Sequence, residues 1–133
     1  MAYRMYLVDD DKFLLGLYAT KFRNAGYDVE TAQGGEALLT ALRQDPTPPD
    51  VMLLDIIMPG LDGFETVAAL RKEQLAPRAK IIFLSNQGQE TDLEKARELH
   101  ADGYIIKASA IPSEVLAEVG RILGASTAPA PTV

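Results

Sequence analysis

The chain of 133 residues contains no cysteine, so it can form neither disulfide bonds nor thiolate metal sites. It also lacks a cluster of lysine and arginine, and its net charge is -6. We therefore expect no direct contact with nucleic acid, whose phosphates attract basic surfaces. Long hydrophobic runs are missing too: the apolar stretch near the N-terminus is too short for a signal peptide or a membrane span. A cytoplasmic protein without membrane contact is the expectation.

The length suits one domain with a sizeable core and is too short for two ordinary domains. We predict that this domain covers residues 1–123. Residues 124–133 read Gly-Ala-Ser-Thr-Ala-Pro-Ala-Pro-Thr-Val, without charge or hydrophobic periodicity. This segment is interpreted as a disordered tail or the stub of a linker.

Short apolar clusters alternate with segments of helical spacing along the whole domain. Several clusters are uninterrupted, which is typical of parallel strands covered on both faces. Regular alternation of strand and helix predicts an α/β fold: a doubly wound (βα)5 domain with a five-stranded parallel sheet between two layers of helices. The five predicted strands lie at Met5–Val8, around Val29, at Val51–Leu54, at Ile81–Leu84 and at Tyr104–Ile106.

Local signals predict where the helices begin and end. Asp11 suits the N-cap of the first helix, and Asp62 with Glu65 three residues later suits a capping box on the third. Pro112 fits the first turn of the last helix. His100 lies where glycine or asparagine would favour a left-handed cap, so we interpret it as a tolerated cap and assign it no chemistry.

Carboxylates follow two of the predicted strands. Asp9 and Asp10 come directly after the first, and Asp55 follows the third. In open parallel sheets ligands bind at the carboxyl ends of strands, where these side chains would meet. Each close pair of carboxylates would repel by about 4 kcal/mol at an effective dielectric of about 20. A cation would offset this repulsion, and Mg²⁺ prefers a few carboxylates with water and phosphate oxygens.

Other polar side chains end the remaining strands. Ser85 follows the fourth, and Lys107 follows the fifth after Tyr104. With the acidic cluster, and with Asp55 preceding the turn Met58-Pro59-Gly60, this order of residues resembles a response-regulator receiver domain of two-component signalling, of the single-domain chemotaxis-regulator kind. The resemblance covers roughly residues 3 to 123. It implies a flavodoxin-like strand order of 2-1-3-4-5.

The resemblance also implies the roles of the site residues. Asp55 would be the phosphoacceptor, with a sensor histidine kinase or a histidine phosphotransfer protein as donor. Asp9, Asp10, Asp55 and the backbone carbonyl of Ile57 would hold Mg²⁺. Lys107 would contact a phosphoryl oxygen, and its ammonium suits such a point-charge contact. The protein would not be an enzyme for other substrates, since it would catalyse only its own phosphorylation and dephosphorylation.

Signal output would depend on two further residues. By the same resemblance, Ser85 would hydrogen-bond the phosphoryl group, and Tyr104 would turn inward behind it. This change would shift the surface of the fourth helix, fifth strand and fifth helix, which would control an effector protein. A phosphorylation-dependent homodimer is also open, and the sequence identifies neither the effector nor the donor.

Four residues near the site depart from the family pattern. Asn86 is larger than the usual residue after the serine, and Ala108 replaces the usual proline after the lysine, which predicts a trans peptide there. Ile57 and Gln87 offer no carboxylate to orient water. We therefore hypothesise slow dephosphorylation of Asp55, and a half-life of seconds in Mg²⁺ would contradict this.

Two other functions compete with the signalling switch. A Mg²⁺-dependent phosphatase that passes through a phospho-aspartate usually needs a second aspartate two residues after the first, where this chain has Ile57. An interaction module that has lost phosphotransfer would not need the set of carboxylates, serine and lysine.

Overall fold

The computed structural model describes residues 3–45, 47–86, 88–107 and 110–124. Within these ranges five strands alternate with five helices. The strands are β1 (Arg4–Val8), β2 (Asp28–Ala32), β3 (Val51–Leu54), β4 (Lys80–Ser85) and β5 (Gly103–Ile106). The helices are α1 (Lys12–Asn24), α2 (Gly35–Gln44), α3 (Gly63–Glu73), α4 (Glu90–Glu98) and α5 (Pro112–Gly124).

All strands pair in parallel, in the order β2-β1-β3-β4-β5. The predicted fold class and strand order are confirmed. Every residue of β3 is buried, which explains why its sequence is apolar without alternation: helices cover both faces of this central strand.

The sheet separates two hydrophobic clusters. The first contains Leu38 of α2, Val67 and Leu70 of α3, and Ala96 of α4. The second lies under α1 and α5 and contains residues such as Phe22 and Val119. Burial of both clusters fixes the sheet between its helix layers, and thereby fixes where each strand ends.

The predicted helix ends are confirmed. The Asp11 carboxylate accepts hydrogen bonds from the first turn of α1, and Asp62 and Glu65 form a capping box on α3. Pro112 begins α5, and His100 has a φ of 60° just after α4. The last helix ends at Gly124, and the rest of the predicted tail, residues 125–133, lies outside the described residues. In the described part of the chain, no helix combines the length and the apolar character that crossing a membrane requires.

Candidate functional site

Three carboxylates meet at the carboxyl ends of β1 and β3. These strands are neighbours, with Val8 level with Leu54, and the Asp55 N–H donates to the Val8 carbonyl at 2.9 Å. Asp9, Asp10 and Asp55 each offer one oxygen, and these oxygens lie within 4.8 Å of one another. The residues predicted to form a metal site therefore lie together.

The carboxylates are held in place by the loop backbone. Asp9 is buried and accepts a hydrogen bond from the Asp11 N–H at 2.9 Å, while half-buried Asp55 accepts one from the Ile56 N–H at 2.8 Å. Asp10 is exposed. The site therefore combines fixed oxygens with an open side, which suits a cation that keeps part of its water shell.

Lys107 supplies positive charge from the end of β5. Its ammonium donates to Asp9 at 3.0 Å and lies 3.6 Å from Asp55 Oδ2. Burial by itself would lower the pKa of Lys107, but the hydrogen bond with Asp9 and the charges of Asp55 and Asp9 outweigh burial and raise it. Lys107 therefore stays charged, and its one ammonium lies beside two of the three carboxylates, those of Asp9 and Asp55.

The Asp55 carboxyl group has a raised pKa. Burial, with further contributions from the charges of Asp9 and Asp10, raises its pKa to about 6, although Lys107 and the hydrogen bond from Ile56 oppose the rise. The raised pKa means that the ionised form of Asp55 is unfavourable in the folded chain, because burial and the neighbouring carboxylates both oppose its negative charge. The donor set of carboxylate oxygens fits Mg²⁺, which would supply the missing charge.

Ser85 and Tyr104 lie on the neighbouring strands β4 and β5. Ser85 ends β4 and is 1% exposed. The side chains of Tyr104 and Ser85 are hydrogen-bonded, and this bond opposes the rise that burial causes in the pKa of Tyr104. The Tyr104 ring also lies 6.4 Å from the ring of Phe83. Tyr104 therefore contacts Ser85 in the described conformation, and its inward turn on phosphorylation stays a prediction.

The loop after β3 is held against α3. The Ile56 carbonyl accepts from the Gly63 N–H at 2.7 Å, and a Cβ atom on Gly63 would lie 2.4 Å from the Asp55 carbonyl oxygen. Only glycine allows α3 to begin this close to the backbone that follows β3. Between these points, the Ile57 side chain is 60% exposed.

The departures near the site are only partly described. Asn86 is exposed and follows Ser85 directly. Gln87 and Ala108 lie outside the described residues, and the predicted trans peptide after Lys107 falls there too.

An apolar rim of three side chains, Phe13, Ile57 and Ile111, lies at the same edge of the sheet as the carboxylates, and no role was assigned to Phe13 or Ile111 from the sequence. These side chains are 77%, 60% and 62% exposed. Phe13 lies in the first turn of α1, and Ile111 directly precedes α5. The available signal was position, because Phe13 and Ile111 are apolar residues that lie shortly after the strand ends carrying the site residues.

The chain belongs to the response regulator receiver domain family, whose model matches residues 5–119. Members are receiver domains of two-component response regulators, which signal by phosphorylation, bind Mg²⁺ at an acidic pocket and interact with histidine kinases or phosphotransfer proteins.

Two curated relatives illustrate the similarity. The alkaline phosphatase synthesis transcriptional regulatory protein PhoP of Bacillus subtilis is 35% identical over 129 residues, which cover 97% of this chain and 52% of PhoP. The probable transcriptional regulator ycf27 of Guillardia theta is 35% identical over 120 residues, covering 90% of this chain and 45% of the relative. The chain thus spans about half the length of these curated relatives.

Solved structures agree with the fold. The BeF3-activated DrrB receiver domain superimposes with a TM-score of 0.77 at 29% identity, covering 92% of this chain and 98% of that one. TrrA of Thermotoga maritima, in complex with Mg(2+)-BeF, gives a TM-score of 0.76 at 29% identity, with 92% and 99% covered. The chemotaxis response regulator CheY4 of Vibrio cholerae gives 0.82 at 25% identity, with 92% and 99% covered.

Proposed function

We propose that Asp55 accepts a phosphoryl group from a histidine kinase or a histidine phosphotransfer protein, and that the modified chain acts as a signalling switch. The observation that carries this proposal is the convergence of Asp9, Asp10 and Asp55 around the Lys107 ammonium at one edge of the sheet. Phosphoryl transfer depends mainly on positioning and charge neutralisation, and this arrangement supplies both.

The transfer replaces one bond to phosphorus with another. An Asp55 carboxylate oxygen attacks phosphorus, the P–N bond of the donor phosphohistidine breaks, and an acyl phosphate forms on Asp55. The departing histidine nitrogen keeps the electron pair of the broken bond. Asp55 must be ionised to attack, and its pKa of about 6 leaves the carboxylate form dominant near neutral pH.

Asp9, Asp10, Asp55 and the Ile57 carbonyl would hold Mg²⁺. When bound, the ion neutralises charge on the carboxylates and on the transferred phosphoryl oxygens. Lys107 would then exchange part of its contact with Asp9 for a phosphoryl oxygen, because its ammonium already lies within 3.6 Å of Asp55. The Ser85 hydroxyl would donate to another phosphoryl oxygen.

The apolar rim supports a protein donor. Phe13, Ile57 and Ile111 are exposed at the same edge of the sheet as the acidic site. Exposed apolar side chains around a charged pocket suit docking of a protein surface, since burying them gives affinity that a small charged donor cannot use.

The response would leave the site through Ser85 and Tyr104. Their hydrogen bond connects the end of β4 with β5, and a phosphoryl group that recruits Ser85 changes what Tyr104 contacts. The α4-β5-α5 surface would then control an effector protein or a phosphorylation-dependent homodimer. In this proposal the chain acts in the cytoplasm, makes no direct nucleic-acid contact, and catalyses only its own phosphorylation and dephosphorylation.

Intact-protein mass after incubation with acetyl phosphate and Mg²⁺ tests the proposal. The native chain should gain one phosphoryl group, and EDTA or Asp55→Asn should abolish the gain. Asp45→Asn, which changes a carboxylate at the opposite end of the sheet, is the matched control and should be modified like the native chain. No adduct on a folded, Mg²⁺-binding chain, or an adduct that survives Asp55→Asn, would contradict the proposal.

The same reactions separate the rival functions. Continuous release of phosphate from phosphate esters would favour the phosphatase, although Ile57 occupies the position of its second aspartate. Mg²⁺ binding without modification by any phosphohistidine donor would favour a silent interaction module.

A further inference from the structure

The helix α4 is attached to the rest of the fold more weakly than the other helices. It buries a single residue, Ala96, whereas α1, α2 and α3 each bury four residues and α5 buries three. Since tertiary packing supplies most helical stability in proteins, the few remaining contacts of α4 determine how it can move.

The two ends of α4 are held differently. At its N-terminal end, Gln89 makes no side-chain capping bond, in contrast to Asp11 on α1 and Asp62 on α3. This end begins five residues after Ser85, so a rearrangement of the serine reaches it directly along the chain. The start of α4 therefore has little local resistance to displacement.

The C-terminal end of α4 is bound by a side chain from another helix. Arg71, in the last turn of α3, donates from Nε and Nη2 to the Leu99 carbonyl at 3.4 and 3.1 Å. Its Nη2 also donates to the His100 carbonyl at 3.3 Å. These carbonyls lie at the negative end of the α4 dipole, where a guanidinium is favourable in charge as well as in hydrogen bonding.

A second contact joins α3 to α4 through an aromatic path. The Lys95 ammonium lies 5.6 Å from the centre of the Phe64 ring, which lies 5.1 Å from the ring of Phe83. Phe83 in turn neighbours Tyr104. Lys95 lies in the last turn of α4, so both of these contacts with α3 lie away from the uncapped start of the helix.

We propose that Arg71 clamps the C-terminal end of α4 to α3, so that α4 pivots about that end when Ser85 and Tyr104 rearrange. The start of the helix swings, and the clamped end stays in place. The direction of the swing rests on the proposed phosphorylation of Asp55, whereas the clamp does not.

Hydrogen exchange of backbone amides, measured by NMR, tests both parts. Arg71→Met keeps the apolar part of the side chain and removes its hydrogen-bond donors. Arg71→Lys keeps the charge and removes the paired donors of the guanidinium group. Lys72→Met changes an exposed neighbouring residue and is the control. The reporters are the amides of Leu99, His100 and Ala101, which close the end of α4. Without ligand, Arg71→Met should speed their exchange about tenfold, as expected on losing a charged hydrogen bond.

The remaining variants and the activated state complete the test. Arg71→Lys should show a smaller increase than Arg71→Met, and Lys72→Met should match the native chain. With Mg²⁺ and beryllofluoride, exchange in the native chain should change at Leu93 and Glu94 and stay constant at Leu99 to Ala101. In Arg71→Met the change should spread to both ends.

Two results would overturn the inference. Equal exchange rates in Arg71→Met and Lys72→Met would show that Arg71 does not hold the end of α4. Equal effects of beryllofluoride on exchange at both ends of native α4 would show that the helix does not pivot. Fluorine NMR measures independently whether beryllofluoride binds to the chain. If no adduct forms, the proposed function and the pivot both fail, while the ligand-free exchange rates still decide the clamp.

Discussion

The two ends of the sheet use the same residue type in opposite ways. At the amino end, Asp45 accepts hydrogen bonds from the Thr47 N–H at 2.9 Å and the Tyr6 hydroxyl at 3.2 Å, and it pairs with Arg4. The hydrogen bond from Thr47, with the Arg4 charge, lowers the pKa of Asp45. At the carboxyl end, burial among other carboxylates raises the pKa of Asp55 to about 6.

This difference separates a structural role from a functional one. Arg4 also donates its N–H to Asp50 at 2.8 Å and lies 3.6 Å from Asp28, so the acids of the amino end have partners within the chain. Lys107 cannot satisfy three carboxylates at the carboxyl end. The acids of the amino end are therefore paired within the folded chain, whereas a cation bound at the carboxyl end would balance the charge of its carboxylates.

The largest effect should come from closing the space between the start of α3 and the backbone of Asp55. In Gly63→Ala the new Cβ would overlap the Asp55 carbonyl oxygen, which belongs to the backbone and has little freedom to shift. We expect a loss of about 3 kcal/mol in the free energy of unfolding, measured by urea denaturation.

Gly16→Ala is the matched control for this substitution. A Cβ on Gly16 would meet no atom within 4 Å, and alanine in the middle of α1 should add about 0.5–1 kcal/mol. Equal stability of the two variants would contradict the close approach of α3 to Asp55.

The next prediction is that asparagine substitutions of Asp55 and Asp45 change the free energy of unfolding in opposite directions. In the absence of Mg²⁺ at pH 7, Asp55→Asn should raise the free energy of unfolding by about 1–2 kcal/mol, because the ionised carboxylate is unfavourable in the folded chain. Asp45→Asn should lower it, because that carboxylate is stabilised in the folded chain. Thermal unfolding between pH 3 and 8 measures both.

The pH dependence of the two effects should also differ. The folded pKa of Asp55 is raised, so its destabilising effect is absent below the unfolded value of 3.8 and develops as the pH rises through about 6. The folded pKa of Asp45 is lowered, so its stabilising effect is present above 3.8 and disappears as the pH falls. If both variants changed the free energy of unfolding in the same direction at pH 7, the proposed difference between the two ends of the sheet would be contradicted.

Features of the fold that depend on residues close together in the sequence could be predicted, whereas features that depend on tertiary contacts could not. The strands around Leu53 and Ile82 were predictable because continuous apolar residues indicate burial on both faces. The inward face of α1 was not predictable, because helical spacing fits Leu17 and Tyr18 equally well. The structure buries Tyr18 and leaves Leu17 44% exposed. Contacts across the sheet decide that choice.

Within the candidate site, the strand-end residues were predictable as a set, but their interactions were not. The contacts of Lys107 with Asp9 and of Tyr104 with Ser85 join residues on different strands, so they depend on how the strands are positioned in the folded chain. The cross-helix contact of Arg71 is of the same kind, since no local pattern links α3 to the end of α4.

A smaller effect, on Mg²⁺ affinity, should follow from removing the Lys107 ammonium at the carboxyl end of the sheet. In Lys107→Met the three carboxylates lose their only close ammonium among the described residues. We expect Mg²⁺ affinity to rise about tenfold, equivalent to about 1.4 kcal/mol, measured by isothermal titration calorimetry.

Lys80→Met is the control for charge alone. Lys80 lies at the amino end of β4, 3.8 Å from Asp102, and its loss should leave Mg²⁺ affinity unchanged. Weaker Mg²⁺ binding in Lys107→Met, or equal gains in both variants, would contradict a local competition between the lysine and the metal ion.

The most direct test of the comparison is a ¹³C NMR titration of the Asp55 and Asp45 carboxyl groups with and without Mg²⁺. The account predicts that Asp55 titrates near pH 6 without the ion and well below this value with it, while Asp45 titrates below 3.8 in both conditions. An Asp55 carboxyl that titrates below pH 4 without Mg²⁺, or that does not respond to the ion, would contradict the claim that the carboxyl end lacks charge balance until a cation binds.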